Sequence, residues 1–150
     1  MVEVTEATEA DVEEISRLVG EIEVRRGGTY APGDVDRIRA VLFGESPEAT
    51  VLLAREGDHV LGMACFSLLP PVAGAGTGAW LKELFLRKDP RRGRGIGLHL
   101  LHAVSVAAQE LGCTYLKRTP DTDDLPAPAF YERTGVPVNE GRDVGRLPLF

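Results

Sequence analysis

An α/β chain built on a mixed sheet is predicted, on three observations. Apolar residues recur at helical spacing near the start of the chain. Two adjacent apolar runs in the middle are rich in β-formers, and a later run leads through clustered glycines into a long helical stripe. At 150 residues, 43% hydrophobic and 27% charged, the chain suits a single domain over residues 1–150 with one core. That composition lies far from the weakly hydrophobic, highly charged regime of disordered chains, so the periodicities can be read as structure.

Residues 2–5 alternate enough for a first strand. Thr8, with Asp11 three residues on, forms a variant of the capping box. Val12, Ile15, Leu18, Val19 and Ile22 then share one face, predicting a helix over 9–24 that Arg25, Arg26, Gly27 and Gly28 stop. Val35, Ile38, Val41 and Leu42, after Pro32 and Gly33, predict a second helix. The period then changes. Residues 50–55 and 59–69, joined by Glu56, Gly57 and Asp58, read as a hairpin. Pro70 and Pro71 end its second strand, and 73–78 is a loop of small residues.

A further strand is predicted over 79–87, where the unbroken Leu84, Phe85 and Leu86 suit a centrally buried position. Residues 88–97 turn the chain into its longest helix. Leu101, Val104, Ala108 and Leu111 mark the buried stripe, and Gly112 is placed to end it. A short strand follows at 114–118, an acidic, proline-rich loop at 119–128 and a short helix at 129–133. Segments near 136–139 and 146–150 would bring the sheet to about six to seven strands, with helices flanking it.

No apolar run approaches the roughly 20 residues of a membrane helix. The first six residues lack the basic start and apolar stretch of a secretory signal. A cytoplasmic enzyme without a membrane partner is expected. Cys65 and Cys113 have no close metal-ligand spacing and read as buried thiols. His59, His99 and His102 fit no metal or triad pattern and read as surface or packing residues, so no metal site is expected.

The net charge of −6 is unevenly spread: residues 1–60 carry 14 acidic and 6 basic side chains (−8), and residues 61–150 carry 9 and 11 (+2). Arg87, Lys88, Arg91, Arg92 and Arg94 form a cationic run that either attracts a polyanion or is a solvated turn. Nucleic acid is not an expected partner, because the rest of the chain would repel phosphates.

The strand, glycine-rich turn and helix at 79–111 carry the most chemistry. A helix N-terminus presents unpaired N–H groups and partial positive charge, which suits a phosphate. Gly93, Gly95 and Gly97 remove side chains where backbone must approach it, and Arg92 and Arg94 add cationic donors. A plain tight turn against a closely packed helix would use the same glycines. A Walker loop is excluded because no Gly-Lys-Ser/Thr opens the helix. A dinucleotide fingerprint is excluded by the glycine spacing and by the lateness of the strand.

What remains is Arg-x-x-Gly-x-Gly, written Arg92-Gly93-Arg94-Gly95-Ile96-Gly97 and preceded by Glu83-Leu84-Phe85-Leu86. This resembles the coenzyme A motif of the GNAT superfamily. Downstream, Phe130-Tyr131-Glu132-Arg133-Thr134-Gly135 resembles that superfamily's Phe-Tyr-Glu-Lys/Arg-x-Gly segment, and the order of elements agrees along nearly the whole chain. The resemblance implies a GNAT fold whose fourth and fifth strands splay apart around acetyl-coenzyme A as co-substrate. Backbone groups of Leu84, Phe85 and Leu86 would run beside the pantetheine. Arg92, with the segment Gly93, Arg94, Gly95, Ile96, Gly97 and Leu98, would hold the pyrophosphate.

The same resemblance implies N-acetyltransfer to a small primary amine and a homodimeric enzyme. Tyr131 matches the tyrosine that protonates the departing thiolate; a buried aromatic beside Phe130 is the structural alternative. Leu81-Lys82-Glu83-Leu84-Phe85-Leu86 is similar to the Leu-Glu-Asp-Phe-Phe-Val of diamine acetyltransferases. Matching by strand sets Glu83 on the motif's aspartate, and counting back from Arg92 sets it on the glutamate. Glu83 is thus a candidate base, directly or through water, or a strand carboxylate paired with a neighbouring cation. Asp124 stands where the family often has an asparagine reaching toward the cofactor. An ionised carboxylate there cannot donate a hydrogen bond and disfavours nearby phosphate. With Asp121 and Asp123 it favours a cationic acceptor or is simply solvated. A coenzyme A-binding regulatory module and an acetyltransferase acting on protein N-termini or lysines are the competing readings.

Overall fold

The computed structural model describes residues 1–71, 76–88 and 95–118. In chain order these form β1 (Glu3–Glu6), a 3-10 turn (Glu9–Asp11), α1 (Val12–Arg25), α2 (Val35–Phe43), β2 (Thr50–Glu56), β3 (His59–Leu69), β4 (Gly78–Leu86), α3 (Ile96–Glu110) and β5 (Tyr115–Arg118). Within the described residues the predicted elements are present to within about two or three residues at their ends. The described residues hold five strands in the order β1-β2-β3-β4-β5, antiparallel from β1 to β4 and parallel between β4 and β5. The mixed sheet is as expected. The segments 129–133, 136–139 and 146–150, which would supply one more helix and the remaining strands, lie outside the described residues.

The central strands alternate between two cores. Leu52, Ala54, Ala64, Phe66, Leu81 and Leu84 face α3, which returns Ile96, Leu100, Leu101, Val104 and Ala108. Val51, Leu53, Met63 and Phe85 face α1, which returns Ile15, Leu18 and Ile22. A sheet covered on both faces needs near-continuous apolar strands, which is how the sequence of β2 to β4 is written. α2 buries none of its residues fully. It adds the half-buried Ile38, Leu42 and Phe43 to the α1 side.

Capping residues set the helix ends. The Asp11 carboxylate accepts the Thr8 amide at 2.8 Å and ties to Arg55 of β2 at 2.7 Å, joining the start of α1 to the sheet. Asp34 accepts the Arg37 amide at 3.0 Å and opens α2. α3 ends with Gly112 at φ 88°, its amide donating to Gln109 while the amide of Cys113 donates to Ala108. That pair of bonds is a Schellman motif. It turns the chain before Leu111 can complete the stripe, so Leu111 is 52% exposed rather than buried as predicted, and Cys113 folds back into the core instead.

Two bulges adjust the faces. In the β3–β4 ladder Cys65 pairs with Glu83 and Phe66 with Leu81, which leaves Lys82 as an extra residue on β4. Because side chains alternate with period two, one extra residue moves everything after it to the opposite face. Without the bulge, Glu83 would share the α3 face with Ala79 and Leu81. With it, Glu83 and Phe85 turn toward α1. The second bulge, at Leu61, lies between the pairs Ala54–Gly62 and Arg55–Val60.

Candidate functional site

Gly95 caps α3 at φ 72°, ψ 32°, in the left-handed region, and offers no side-chain cap. Among the described residues a Cβ built on it would meet nothing nearer than the Cβ of Leu98 at 3.9 Å, so none of them fills the space an approaching group would take. His99 is the first residue of α3 whose amide reaches an acceptor in the helix, the carbonyl of Gly95 at 2.9 Å. The amides of Ile96, Gly97 and Leu98 have no acceptor within the helix. The first turns of α1 and α2 carry Glu13, Glu14 and Asp36, but that of α3 carries no acidic residue. The positive end of its dipole is therefore not offset by a carboxylate of its own first turn. An αL residue followed by αR residues also turns successive N–H groups into one concavity, which suits an anion.

Beside it, among the described residues, lies strand edge without a partner. Within those residues β4 and β5 pair from Gly78–Tyr115 to Leu81–Arg118. Among the described residues no strand pairs with that edge of β4 beyond Leu81. Leu84 is fully buried and Leu86 packs against the α3 core, while Phe85 packs toward α1. Their side chains are thus spent on packing, and only their backbone can serve a ligand on that edge. Leu86, at the end of β4, and Leu100, early in α3, both border Gly62, so this edge ends near the start of α3 and one extended molecule could contact both.

Glu83 faces the other way. Its side chain is 14% exposed and accepts a hydrogen bond from Nη2 of Arg26 at 2.6 Å. The paired strand carboxylate is therefore what the fold shows, and Arg26, read from sequence only as a helix stop, is its partner. Across the ladder from Glu83 sits the free thiol of Cys65, pushed up to about 11 by burial, with Glu83 adding to the rise against the opposing effect of Lys82. Burial also raises Cys113. Neither thiol is activated as a nucleophile.

The segment between α1 and α2 is anchored over this face. Ser16 donates to the carbonyl of Gly33 at 2.6 Å, and the amide of Gly33 donates back to the carbonyl of Ser16 at 3.1 Å. The ring of Tyr30 lies on Gly20, in the space a Cβ would need. Sequence reasoning missed Ser16, yet a signal was there: a small polar residue at the i+4 position from Val12, inside the apolar stripe. Next to Arg26, the guanidinium of Arg25 lies 4.3 Å from the centre of the Phe85 ring. An open cleft of about 640 Å³ runs beside that pair, lined by Glu21, Val24, Arg25, Phe85, Arg87 and Lys88.

Arg87 does not behave as the start of a phosphate-binding run. Its guanidinium bonds Glu21 at 3.0 and 3.1 Å, Glu14, and the carbonyl of Val60 at 3.0 Å, fastening the end of β4 to α1. Burial alone would lower its pKa, but the bonds from Glu21 and Glu14 raise it. Glu14 is held below its ordinary value: burial opposes ionisation, and Arg87 and Arg17 outweigh it. Arg92, Gly93, Arg94, Asp124 and Tyr131 lie outside the described residues. His59, His99 and His102 are all exposed, and among the described residues no group of three or more His, Cys, Asp or Glu could hold a metal ion. No helix of the described residues is long and apolar enough to cross a membrane.

Comparison with known proteins places the same fold in solved structures. The chain resembles a candidate acetyltransferase from Arthrobacter sp. FB24 at 28% identity and a TM-score of 0.70, over 98% of this chain and 91% of the other. An aminoglycoside acetyltransferase from an uncultured soil metagenomic sample, solved with sisomicin, shares the fold at a TM-score of 0.77 and 18% identity, over 99% and 97%. A Bacillus halodurans C-125 protein described as a transcriptional regulator shares it at 0.73 and 24%, over 98% and 99%. No curated protein matches the chain. The model of the acetyltransferase (GNAT) family matches residues 15–136, and the chain belongs to that family.

Proposed function

We propose that the protein is an acetyl-coenzyme A-dependent N-acetyltransferase that modifies a small primary amine by direct transfer in a ternary complex. One observation supports this most: the edge of β4 that has no strand partner among the described residues leads to a helix N-terminus with no acid in its first turn and a left-handed glycine at its mouth. The amides of Ile96, Gly97 and Leu98, with Gly95, would hold the pyrophosphate, joined by Arg92, Gly93 and Arg94. The backbone of Leu84, Phe85 and Leu86 would lie along the pantetheine. Bound acetyl-coenzyme A supplies an acetyl group already activated as a thioester, so a C–S bond is exchanged for a C–N bond, with one proton taken from the amine and one given to the sulfur.

This chain's own groups then have defined tasks. Glu83, turned to the α1 side by the bulge, receives the amine and takes its proton, directly or through water. Arg26 must yield its place on the carboxylate for that to happen. Tyr131 gives the second proton. Two raised thiols support direct transfer over an acetyl-cysteine route. A cytoplasmic homodimer belongs to the proposal on family grounds.

The reading is tested by release of free thiol from acetyl-coenzyme A across a panel of primary amines, with Tyr131→Phe alongside. Turnover with at least one amine, reduced about 10²-fold or more in the variant with cofactor affinity nearly intact, is expected. Equal turnover in the two proteins would remove Tyr131 from the chemistry. Tight cofactor binding with no turnover on any amine would favour the regulatory module, a reading to which the seating of Arg26 on Glu83 lends some support.

A further inference from the structure

We infer that Arg26 is the positioning residue of the base: its guanidinium aims Glu83 and favours its ionised form until an acceptor arrives, then gives up the carboxylate to the acceptor's ammonium. This role rests on the acetyltransfer reading above, in which Glu83 takes the proton.

Three features of the fold converge on the one contact. The bulge at Lys82 turns Glu83 to the α1 side of the sheet. On the other side, α1 closes with Arg26 as its C-cap and Gly27 in the left-handed region at φ 91°. The amide of Gly27 donates to the carbonyl of Val24 at 3.0 Å, and that of Gly28 to the carbonyl of Glu23 at 2.9 Å. This is a Schellman motif like that of α3, so the backbone on both sides of Arg26 is fixed. From that mount its Nη2 reaches Oε1 of Glu83 at 2.6 Å.

Glu83 makes contacts besides this one. Among the described residues, the charged and titratable groups around it are Arg26 at the end of α1, Lys82 beside it on β4 and Cys65 across the ladder on β3. Arg25 lies over the ring of Phe85, two residues along the strand. All but Arg26 are kept when Arg26 alone is replaced, so the variant reads the difference that one guanidinium makes. A cation at hydrogen-bond distance favours the charged form of a carboxylate, whatever else surrounds it.

The pair is uneven in a way that suits exchange. Where this fold ties β4 to α1 for good, it uses Arg87, which is 24% exposed and bound by Glu14, Glu21 and the carbonyl of Val60. The Arg26 side chain is 53% exposed and that of Glu83 14%. The guanidinium can therefore turn to water while the carboxylate stays in place. An acceptor's ammonium then replaces one cation by another. One of its protons passes to the carboxylate, leaving the neutral amine that attacks the thioester.

The test uses the full chain with Arg26→Gln and Arg26→Lys, saturating acetyl-coenzyme A and the amine that turns over fastest. The acidic limb of kcat/KM reports the protein without acceptor, and in Arg26→Gln it should move up by about half a pH unit or more. The acidic limb of kcat reports the complex with acceptor, from which Arg26 has withdrawn, and should keep its position. Arg26→Lys should restore the original kcat/KM limb, because it keeps the charge. Carbon-13 NMR of the Glu83 carboxyl, assigned by the resonance lost in Glu83→Gln, gives a readout independent of turnover. Its midpoint in protein loaded with coenzyme A should rise in Arg26→Gln and return in Arg26→Lys. A kcat/KM limb that Arg26→Gln leaves unmoved, or limbs of kcat and kcat/KM that move together, overturns the inference while acetyltransfer stands. An unmoved carboxyl midpoint overturns it whatever the turnover. A moved midpoint in a protein that turns over no amine overturns acetyltransfer and sustains Arg26 as the residue that favours the ionised carboxylate.

Discussion

Gly95 shows how a single residue ties sequence and backbone to the proposed ligand. At φ 72° an ordinary side chain would strain the backbone by about 1–2 kcal/mol. No described residue but Leu98 comes within 4 Å of a Cβ built there, so a branched side chain would also stand where the proposed phosphate approaches. Gly95→Val should therefore lower stability by about 1–2 kcal/mol and weaken acetyl-coenzyme A binding about tenfold or more. Gly112 provides the control, because it sits at φ 88° at the far end of the same helix. Gly112→Val should show a similar shift in urea midpoint with cofactor affinity unchanged. Equal losses of affinity in both variants would mean that strain, not the ligand, is being measured.

Glu83 is the residue whose identity was plain in the sequence and whose setting was not. Its candidacy came from its place before the glycine loop, but its face depends on the extra residue at Lys82. A bulge costs the sequence nothing that periodicity can detect in a strand apolar on both faces. The partner was equally hidden, since Arg26 and Glu83 are 57 residues apart.

Between elements, the cluster of Arg87 with Glu14 and Glu21 is the main polar link from the β4 terminus to α1. Arg87→Met should cost about 1–3 kcal/mol in urea unfolding at neutral pH, because it takes Glu21 from its arginine and leaves the partly buried Glu14 with Arg17 alone. The pH dependence has a defined sign. Glu14 titrates below its ordinary 4.5 and Asp11 below its ordinary 3.8, each held down by arginine against the opposing effect of burial. A group whose folded pKa is depressed contributes its stability above the unfolded value and loses it as pH falls through the folded one. Stability should thus be level above about pH 5 and fall on acidification below it, with a shallower fall in Arg87→Met. An unchanged acid limb in the variant would show that Arg87 is not what holds Glu14 ionised.

The elements themselves were largely legible. The hairpin of β2 and β3 was marked by its turn residues, and α3 by a stripe that α/β packing requires. Leu111 was misread because helical periodicity takes no account of where a Schellman turn stops the helix. Arg87 was misread as part of a cationic run because its carboxylate partners lie 66 and 73 residues away, beyond any local pattern.

At the scale of the whole molecule, the account depends on a parallel pair that, among the described residues, runs from Gly78–Tyr115 to Leu81–Arg118 and leaves the rest of β4 without a partner on that side. α3 is the connection between the two strands. The same crossover that buries the larger core sets a helix N-terminus near strand backbone without a partner among the described residues, so fold and proposed ligand site come from one arrangement. Calorimetric titration of the full chain with acetyl-coenzyme A, and separately with pantetheine, tests this most directly. The account predicts saturable binding of acetyl-coenzyme A, with pantetheine, which lacks the diphosphate, weaker by about 10²-fold or more. No binding of acetyl-coenzyme A, or equal binding of both compounds, would contradict it.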